Sequence, residues 1–307
     1  SIGPGARRRL FDWPALESFS LNGQTVVITG GTSGIGEVGA EIMASLGANL
    51  VIVARDQAKA DATVDRIKAT TGNPNVSYVL ADLGKQENVR AAAAELAERH
   101  QVIHTLIHNA GVLFPERRRA ESGADLAIEI KVAAPFLLTG LLLPQLKAAK
   151  PGRVLTMSSG GMYTQPLSVS GLEMPDEDYG GAVQYALAKR AQVVLSEMWA
   201  TRIDPTEIVF HSLHPGWVDT PGVSEALPTF SKVLGPLQLL RSPREGADTM
   251  VWLAASDRAL ETTGEFWHDR EVRPTHKIPT TKGSDTPERR KRLWEWCEAH
   301  TGFTFEG

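Results

Sequence analysis

Residues 25–36 have the sequence TVVITGGTSGIG, in which a β-branched apolar run breaks into closely spaced glycines and continues in a helical pattern. The run at 25–29 predicts a buried strand, and the apolar spacing over 35–46 predicts a helix. A strand that turns directly into a helix is the basic unit of a parallel α/β sheet. The rest of the chain can be built outward from this unit.

Three of the four glycines in this stretch suit a dinucleotide pyrophosphate. Gly30 permits a tight turn, Gly34 lets the backbone approach a phosphate, and Gly36 allows the helix to pack closely on the strand. The unpaired amides and the positive dipole end of the helix also attract an anion. The stretch therefore predicts a nucleotide cofactor, with a plain strand-to-helix turn as the alternative interpretation.

Strand and helix patterns alternate along the whole chain. Strands are predicted at 25–29, 49–54, 76–80, 103–108, 152–158, 207–212 and 264–267. Helices are predicted at 35–46, 57–70, 86–99, 123–148, 181–203, 243–256 and 286–299. This order predicts an α/β fold, a single Rossmann-type doubly wound domain with a mainly parallel seven-stranded sheet and a C-terminal helical extension. The segments that follow the strands should meet at the carboxyl edge of the sheet.

The chain divides by composition into an N-terminal arm at 1–20, the Rossmann-type domain at 21–270 and a C-terminal extension at 271–307. Glycines, prolines and acids at 160–180 predict an insertion beside the active edge. Apolar residues and prolines at 218–242 predict a flap over the substrate, with an ordinary pair of surface helices as the alternative.

Composition limits the possible functions. The 307 residues are 42% apolar and 22% charged, and their net charge of −4 leaves no basic footprint for nucleic acid. Cys297 is the only cysteine, so no intrachain disulfide can form, and a reducing, cytoplasmic location is expected. The longest apolar run, 133–144, is shorter than the roughly 20 residues that span a bilayer, so no membrane span is predicted.

Further motifs follow the glycine turn in a fixed order. They are Thr29-Gly30-x-x-x-Gly34-x-Gly36, Asp82 in ADL, Asn109-Ala110-Gly111, Ser158-Ser159, Tyr185-x-x-x-Lys189 and Pro215-Gly216. With this set over about residues 20–270, the chain resembles the short-chain dehydrogenase/reductase family, and its wide gap from serine to tyrosine is similar to that of the retinol-dehydrogenase-like members. The resemblance implies an oxidoreductase that uses a nicotinamide dinucleotide.

The resemblance also implies where the cofactor lies. Asp82 should meet its adenine end, and Asn109 should support the wall on the nicotinamide side. The full set of predicted cofactor-binding residues is Gly30, Thr32, Ser33, Gly34, Ile35, Gly36, Arg55, Asp82, Leu83, Asn109, Ala110, Gly111, Tyr185, Lys189, Pro215, Gly216 and Val218.

The end of the second predicted strand bears on the choice of cofactor. By resemblance, Arg55 stands where members that prefer NAD carry an acid. A guanidinium offers two parallel charged donors to a 2′-phosphate, whereas an acid would repel it. We therefore predict NADP(H), and the neighbouring Asp56 keeps NAD(H) as the alternative.

Three residues can serve carbonyl reduction. Tyr185 and Lys189 are four residues apart in a helical pattern and share one face. A tyrosine with its free pKa of about 10 is a poor acid near neutrality, so a nearby cation that stabilises the phenolate is useful. Ser159 can hold the substrate oxygen where negative charge grows. By resemblance, Ser159 rather than Ser158 has this role.

Lys131 departs from the family pattern. By resemblance, it aligns with an active-site Asn that helps hold a water in the proton relay. We predict that Lys131 is a functional substitute and the fourth catalytic residue. The alternatives are a lysine that points outward from the helix surface and a sign of weakened turnover. A second cation near Tyr185 would favour phenolate but would also depress the pKa of Lys189.

Other charged clusters are assigned structural roles. His100, His104 and His108 lie in a strand pattern, where four residues span about 13 Å, which is too far for one metal ion to join them. The basic run at 289–292 alternates with apolar positions and predicts a solvated helix face. We therefore predict no metal site and no nucleic-acid partner.

These features predict an NADP(H)-dependent carbonyl reductase or alcohol dehydrogenase that acts on a small, lipophilic carbonyl or alcohol. The alternative is a catalytically weakened nucleotide-binding sensor or scaffold, suggested by Lys131. An epimerase or dehydratase has only Tyr185 and Lys189 in its favour. By resemblance, helices 123–148 and 181–203 form the interface of a homodimer or homotetramer, which the C-terminal helix could instead block.

Overall fold

The computed structural model describes residues 13–218 and 240–306. Within these residues, eight strands form a single sheet. The strands are β1 (Thr25–Thr29), β2 (Asn49–Ala54), β3 (Val76–Leu80), β4 (Thr105–His108), β5 (Gly152–Met157), β6 (Ile208–Leu213), β7 (Phe266–His268) and β8 (Glu271–Val272).

Helices alternate with these strands. They are α1 (Gly34–Ser45), α2 (Gln57–Thr71), α3 (Gln86–Arg99), α4 in three segments (Leu126–Ile128, Glu129–Ala133 and Ala134–Leu141), α5 (Leu143–Lys147), α6 (Gly181–Ala200), α7 (Pro243–Ala255), α8 (Pro279–Ser284) and α9 (Pro287–Thr301). Short 3₁₀ turns lie at Leu16–Ser18, Gly160–Thr164, Ser170–Glu173, Asp176–Asp178 and Asp257–Leu260.

The strand order is β3-β2-β1-β4-β5-β6-β7-β8, and all neighbours are parallel except the pair β7–β8. The chain starts in the middle of the sheet, runs outward to β3 and then returns to β4 on the other side of β1. This crossover makes a switch point between β1 and β4. The prediction of a doubly wound α/β fold is therefore confirmed.

Two apolar cores lie on the two faces of the sheet. Because successive strand residues point to opposite faces, Val27 belongs to one core and Ile28 to the other. The first core joins the sheet to α3, α4, α6 and α9, and the second joins it to α1, α2 and α7. With both faces covered, the carboxyl edge of the parallel strands is the part of the sheet open to a ligand.

The predicted number of strands, seven, is one too few, because the sheet has eight. An antiparallel strand, β8, follows β7 after a two-residue turn in which Asp269 and Arg270 both have positive φ, of 56° and 53°. Two-residue hairpin turns of this kind usually have the sequence Asn-Gly or Asp-Gly. Here both turn side chains form buried ion pairs instead, Asp269 with Arg241 and Arg270 with Asp248. These contacts hold two non-glycine residues in a left-handed conformation that the sequence alone does not signal.

The predicted continuous helix at 123–148 is also wrong. The helix begins only at Leu126, makes a π-helical turn over Glu129–Ala133, and is interrupted at Leu142. Pro135 has no N–H to donate to the carbonyl of Lys131, four residues earlier, and this loss disturbs the α-helical ladder at the π turn. The missing N–H of Pro144 has the same effect before α5.

The C-terminal helix α9 packs on the outer face of α4 and α6. The indole of Trp294 lies 5.0 Å from the ring of Phe136 on α4 and 4.7 Å from the ring of Trp199 on α6, measured between ring centroids. Helix α9 of the same chain thus covers one face of α4 and α6, the two helices predicted to form a subunit interface.

None of the helices in the described part of the chain is both long and apolar enough to cross a membrane.

Candidate active site

Two glycines of the turn between β1 and α1, Gly30 and Gly36, have no room for a side chain. Gly30 has a φ of +69°, and a Cβ added to it would lie 2.8 Å from the Cα of Ala110. A Cβ on Gly36 would lie 2.3 Å from the Gly30 carbonyl oxygen and 2.3 Å from Nδ2 of Asn109. Gly34 also has a positive φ, of +56°. The tight turn predicted at Gly30 and the close packing of helix on strand predicted at Gly36 are present in the structure. The approach of the Gly34 backbone to a phosphate stays a prediction.

The N-terminus of α1 opens at this turn. Ser33 is the N-cap residue, and its side chain makes no capping hydrogen bond to the helix. The first amides of this 12-residue helix are therefore not capped by that side chain, and the helix dipole favours an anion there. Thr32 and Ile35 flank the cap in sequence. This cradle of glycine backbone and uncapped amides fits a dinucleotide pyrophosphate.

Asn109 links the end of β4 to the glycine turn by hydrogen bonds. Its Nδ2 donates hydrogen bonds to the carbonyl oxygens of Thr29 and Gly30, both at 3.1 Å. The backbone amides of Asn109 and Ala110 donate to Thr29 Oγ1, also at 3.1 Å. The side chain predicted to support the nicotinamide side therefore also fixes the phosphate cradle.

The ends of β2 and β3 carry the residues predicted to meet the adenosine half of the cofactor. Arg55 is exposed, and its guanidinium forms no ion pair with any described residue. The carboxylate of Asp56 caps α2 by accepting from the Lys59 amide at 3.0 Å. Beyond β3, Asp82 Oδ1 accepts from the Gly84 amide at 3.0 Å, and Leu83 packs against the first core.

Two adjacent serines after β5 have different partners. Ser158 is buried, and its Oγ donates to the carbonyl oxygen of Lys189 at 2.9 Å. Ser159 Oγ accepts from the Gly161 amide at 3.3 Å, and its hydroxyl lies near enough to Tyr185 to lower the pKa of that phenol. Ser158 thus ties β5 to α6, and Ser159 is the serine that meets the tyrosine. The anchoring contact of Ser158 was not anticipated from the sequence, because it depends on a residue 31 positions away.

Tyr185 lies between two lysines. The Nζ of Lys189 is 5.5 Å from the centre of the Tyr185 ring, and the Nζ of Lys131 is 5.1 Å from it. Burial raises the pKa of Tyr185, and the hydrogen bond with Ser159 opposes that rise. The phenol is therefore a weak acid unless a positive charge nearby stabilises its ionised form.

Both lysines are buried and bind carbonyl oxygens. Lys189 donates to Met157 O at 2.6 Å, and Lys131 donates to Val112 O at 2.5 Å. Burial lowers the pKa of Lys131 to about 7, although Asp125 opposes the change. The pKa of Lys189 is lowered well below its usual value by burial and by repulsion from Lys131. The alternative that Lys131 points outward from the helix surface is therefore wrong, because its side chain is inside and faces the tyrosine.

A small cavity of about 20 Å³ adjoins Lys131 on its inner side. Gln192 and Ser196 line it, both are buried, and neither the amide of Gln192 nor the hydroxyl of Ser196 has a hydrogen-bond partner among the described residues. The space beside Lys131 is thus small and mostly apolar, with the polar groups of Gln192 and Ser196 among its lining. Neither residue was singled out from the sequence, where both have the spacing of ordinary core positions of a helix.

The turn after β6 is supported by a buried ion pair. Gly216 has a φ of +86°, and a Cβ there would lie 2.6 Å from Nε of Arg241. Arg241 donates to the Pro215 carbonyl oxygen at 3.3 Å and pairs with both oxygens of Asp269, at 2.6 and 3.0 Å. Arg241 also pairs in a parallel bridge with Val218. Sequence reasoning missed Arg241 and Asp269, because their partners are far away along the chain.

Most of the predicted flap at 218–242 lies outside the described residues, which omit 219–239. The insertion at 160–180 follows Ser159 directly and contains three 3₁₀ turns.

Two of the histidines set aside as metal ligands have hydrogen-bond partners in neighbouring elements. His104 Nδ1 accepts from the Thr25 amide at 3.0 Å, and His108 Nε2 pairs with Thr139 Oγ1 at 2.7 Å. Across residues 13–218 and 240–306, no three His, Cys, Asp or Glu side chains are grouped so that they could hold a metal ion.

The geometry places a phosphate cradle and a Ser–Tyr–Lys cluster on the same edge of a doubly wound sheet. This combination defines a dinucleotide-dependent oxidoreductase.

Comparisons with known proteins agree with this class. Residues 24–229 match the family model described as short chain dehydrogenase. The human protein named dehydrogenase/reductase SDR family member 12 is 37% identical over 279 residues, which cover 91% of this chain and 86% of the relative. Human retinol dehydrogenase 13 is 29% identical, with 90% of this chain and 83% of the relative covered.

Solved structures agree as well. The Pseudomonas aeruginosa RhlG/NADP active-site complex superposes with a TM-score of 0.66 at 26% identity, covering 81% of this chain and 95% of that one. The chain therefore belongs to the short-chain dehydrogenase/reductase family, whose members act on CH–OH and C=O groups. The family expectation drawn from the motifs is confirmed.

The buried Lys131 predicts an unusual pH dependence of stability. Between its folded pKa of about 7 and its usual value near 10.5, the unfolded chain binds more protons than the folded one, so stability should rise with pH in this window. Below pH 7 the cost of burying the charge is fully present. A Lys131→Met variant lacks this cost. Its advantage in unfolding free energy over the wild type should therefore shrink by roughly 3 kcal/mol between pH 6.5 and 9.5.

The measurement is urea unfolding of both proteins at each pH. Lys291→Met serves as the control, because Lys291 is exposed on α9. An advantage that stays constant across the pH range would show that Lys131 keeps an ordinary pKa.

Proposed function

We propose that this chain is an NADP(H)-dependent carbonyl reductase or alcohol dehydrogenase that acts on a lipophilic carbonyl or alcohol. The observation that carries the proposal is the buried group of Tyr185 with the Nζ atoms of Lys189 and Lys131, 5.5 and 5.1 Å from the centre of its ring. Ser159 follows β5 beside this group, and the glycine cradle lies on the same edge of the sheet. The cofactor, when bound, supplies the hydride or accepts it.

The protein side chains supply the proton and hold the substrate oxygen. The Ser159 hydroxyl donates a hydrogen bond to that oxygen, which stabilises the negative charge that develops during reduction. Tyr185 Oη gives up its proton to the same oxygen. Lys189 Nζ, 5.5 Å from the ring centre, stabilises the phenolate that remains.

Lys131 adds a second site for positive charge. The two amines repel each other and are both buried, so the uncharged form of each is favoured while Tyr185 is neutral. When Tyr185 loses its proton, the phenolate favours an ammonium beside it, at Nζ of either lysine. The pair can therefore bind one proton from solvent when the tyrosine has passed its own proton to the substrate oxygen. This supports a functional role for Lys131 at the usual Asn position.

Arg55 supports NADP(H) as the cofactor. Its exposed guanidinium at the end of β2 is not engaged with a described carboxylate, and the carboxylate of the neighbouring Asp56 is used to cap α2. A guanidinium that is not paired with a carboxylate can donate two parallel hydrogen bonds to a phosphate monoester. The Pseudomonas aeruginosa relative is itself an active-site complex with NADP, which also favours this cofactor.

A lipophilic substrate is supported by composition and by likeness. Trp217, directly after the Pro215–Gly216 turn, is 54% exposed, and the sequence at 218–242 is rich in apolar residues. An exposed indole beside a site offers a large contact surface for apolar groups. A relative of similar length is named a retinol dehydrogenase.

Replacing Tyr185 by Phe tests the proposed chemistry. Loss of the proton donor should reduce kcat for NADPH-dependent carbonyl reduction about a thousand-fold, while the Kd for NADPH changes little. The assay follows NADPH absorbance with a panel of ketones and aldehydes. Tyr78→Phe is the matched control, since Tyr78 lies on β3 and its hydroxyl bonds to Asp61.

The alternative function, a nucleotide-binding sensor or scaffold, predicts a different result. In that case the wild type binds NADPH but oxidises it with no member of the panel, and Tyr185→Phe has no activity to lose.

Replacing Arg55 by Ala tests the cofactor. A lost charge-assisted hydrogen bond should weaken NADPH binding by about 10-fold to 100-fold and leave NADH binding almost unchanged. Both Kd values can be measured by nucleotide fluorescence, with Arg99→Ala as a control because Arg99 binds the backbone of β3 and Glu95. Equal Kd values for NADPH and NADH in the wild type would contradict the assignment.

A further inference from the structure

The π-helical turn that carries Lys131 also carries a buried acid. Glu129 and Lys131 both lie in Glu129–Ala133, and neither side chain is exposed to solvent. Single π turns within α-helices are uncommon and recur at functional sites. The position of Lys131 therefore depends on whatever holds this turn in its irregular shape.

Glu129 is held by donors from three separate segments. Its Oε1 accepts from Gln86 Nε2 at 2.9 Å, and its Oε2 accepts from Ser122 Oγ and from His300 Nε2, both at 2.7 Å. Burial alone would raise the pKa of Glu129, but these donors together lower it. The carboxylate is thus charged, and the loss of a donor would leave part of it unpaired in the interior.

His300 belongs to the last turn of α9, and that turn is itself fixed to α3. The imidazole of His300 stacks on Trp296 with a centroid distance of 4.7 Å and an interplanar angle of 8°. Gln86 Nε2 donates to the His300 carbonyl oxygen at 3.1 Å, and Arg90 on α3 donates to the Thr301 carbonyl oxygen. The end of α9 is therefore held at a defined place beside the π turn.

We propose that the C-terminal helix α9 is a positioning element of the active site: His300, through the carboxylate of Glu129, fixes the π turn that directs the Nζ atom of Lys131 toward Tyr185. This inference deepens the proposed function and rests on it for the role of Lys131 in proton transfer. It also assigns a role to a helix that lies beyond residues 24–229, where the family match ends.

The other hydrogen bonds of this helix segment act at its start or on Lys131 itself, whose Nζ donates to the Val112 carbonyl oxygen. Asp125 Oδ1 fixes the start of α4 by accepting from the amides of Ala127 and Ile128, at 2.8 and 3.3 Å. The charged groups that act on Lys131 itself are Asp125 and Lys189. Neither reaches across to α9. Among the described residues, the link from α9 to the Lys131 turn by hydrogen bonds therefore runs through Glu129.

The test compares three substitutions on α9. His300→Ala removes the donor to Glu129. His300→Gln restores a donor, because its side-chain amide can reach a similar position. Lys291→Ala is the control on the same helix, where Lys291 is exposed and pairs with the exposed Glu295 four residues on.

Two readouts separate positioning from simple stability. The first is the titration of Lys131 followed by NMR of the protein with carbon-13 labelled lysine, its signal assigned by its loss in Lys131→Met. The second is the pH profile of kcat. We expect His300→Ala to shift the Lys131 titration by about one pH unit or more, to shift the kcat profile in the same direction, and to leave the Kd for NADPH within about twofold. His300→Gln should restore both readouts, and Lys291→Ala should alter neither.

Several results would overturn the proposal. If His300→Ala lowers the unfolding temperature but leaves the Lys131 titration unchanged, α9 is only a structural cover. The same conclusion follows if His300→Gln fails to restore a shifted titration.

If His300→Ala does not fold, Glu129→Gln is measured in its place. It keeps the size of the side chain but removes two acceptor interactions of the carboxylate, and an unshifted Lys131 titration would again refute the proposal. The NMR titration needs no substrate. If the wild type had no turnover, the proposed function would be refuted. The NMR titration would still show whether α9 positions Lys131.

Discussion

The site depends on the close approach of three backbone segments at the glycine turn. The amide of Asn109 binds the carbonyl oxygens of Thr29 and Gly30, and Gly36 lies so close to this contact that a Cβ would be 2.3 Å from both partners. This packing joins the ends of β1 and β4 across the switch point of the sheet. The phosphate cradle and the catalytic cluster consequently lie on one rigid edge, because β4 and β5 are neighbours in the same parallel ladder.

The second constraint is electrostatic. Two amines and one phenol share a buried pocket in which the lysines have carbonyl oxygens as hydrogen-bond partners. Carbonyl groups accept hydrogen bonds from an ammonium but bring no full negative charge, so burial and mutual repulsion depress the pKa of Lys189 and Lys131. A phenolate at Tyr185 would supply the missing charge. The protonation of the three groups is therefore coupled, and an asparagine in place of Lys131 would remove one member of the set.

Much of this arrangement could be predicted from the sequence because its signals are local. The β1 strand, the glycine turn and the four-residue spacing of Tyr185 and Lys189 each depend on neighbouring residues, and the parallel sheet follows from their alternation. The break in α4 also has a local cause, in Pro135. It was missed because a strong apolar pattern suggested one continuous helix, whereas the absent N–H decides the backbone geometry.

The features that could not be predicted depend on contacts between distant positions. The β8 hairpin has Arg270 where a glycine is usual, and it is stabilised by the ion pairs of Asp269 and Arg270 with partners elsewhere. The contact between Glu129 and His300 joins residues that are 171 positions apart. The burial of Lys131 is of the same kind, since a lysine in an apolar helix is compatible with either face until the packing of that helix is known.

The most direct test of the whole account is a crystal structure of the protein with NADPH. We expect the pyrophosphate on the amides of the glycine turn, the 2′-phosphate at Arg55, and the nicotinamide at the edge where Ser159 and Tyr185 meet. A dinucleotide bound at another edge, or a nicotinamide ring separated from Tyr185 by packed side chains, would contradict the assignment of this edge as the site of hydride transfer.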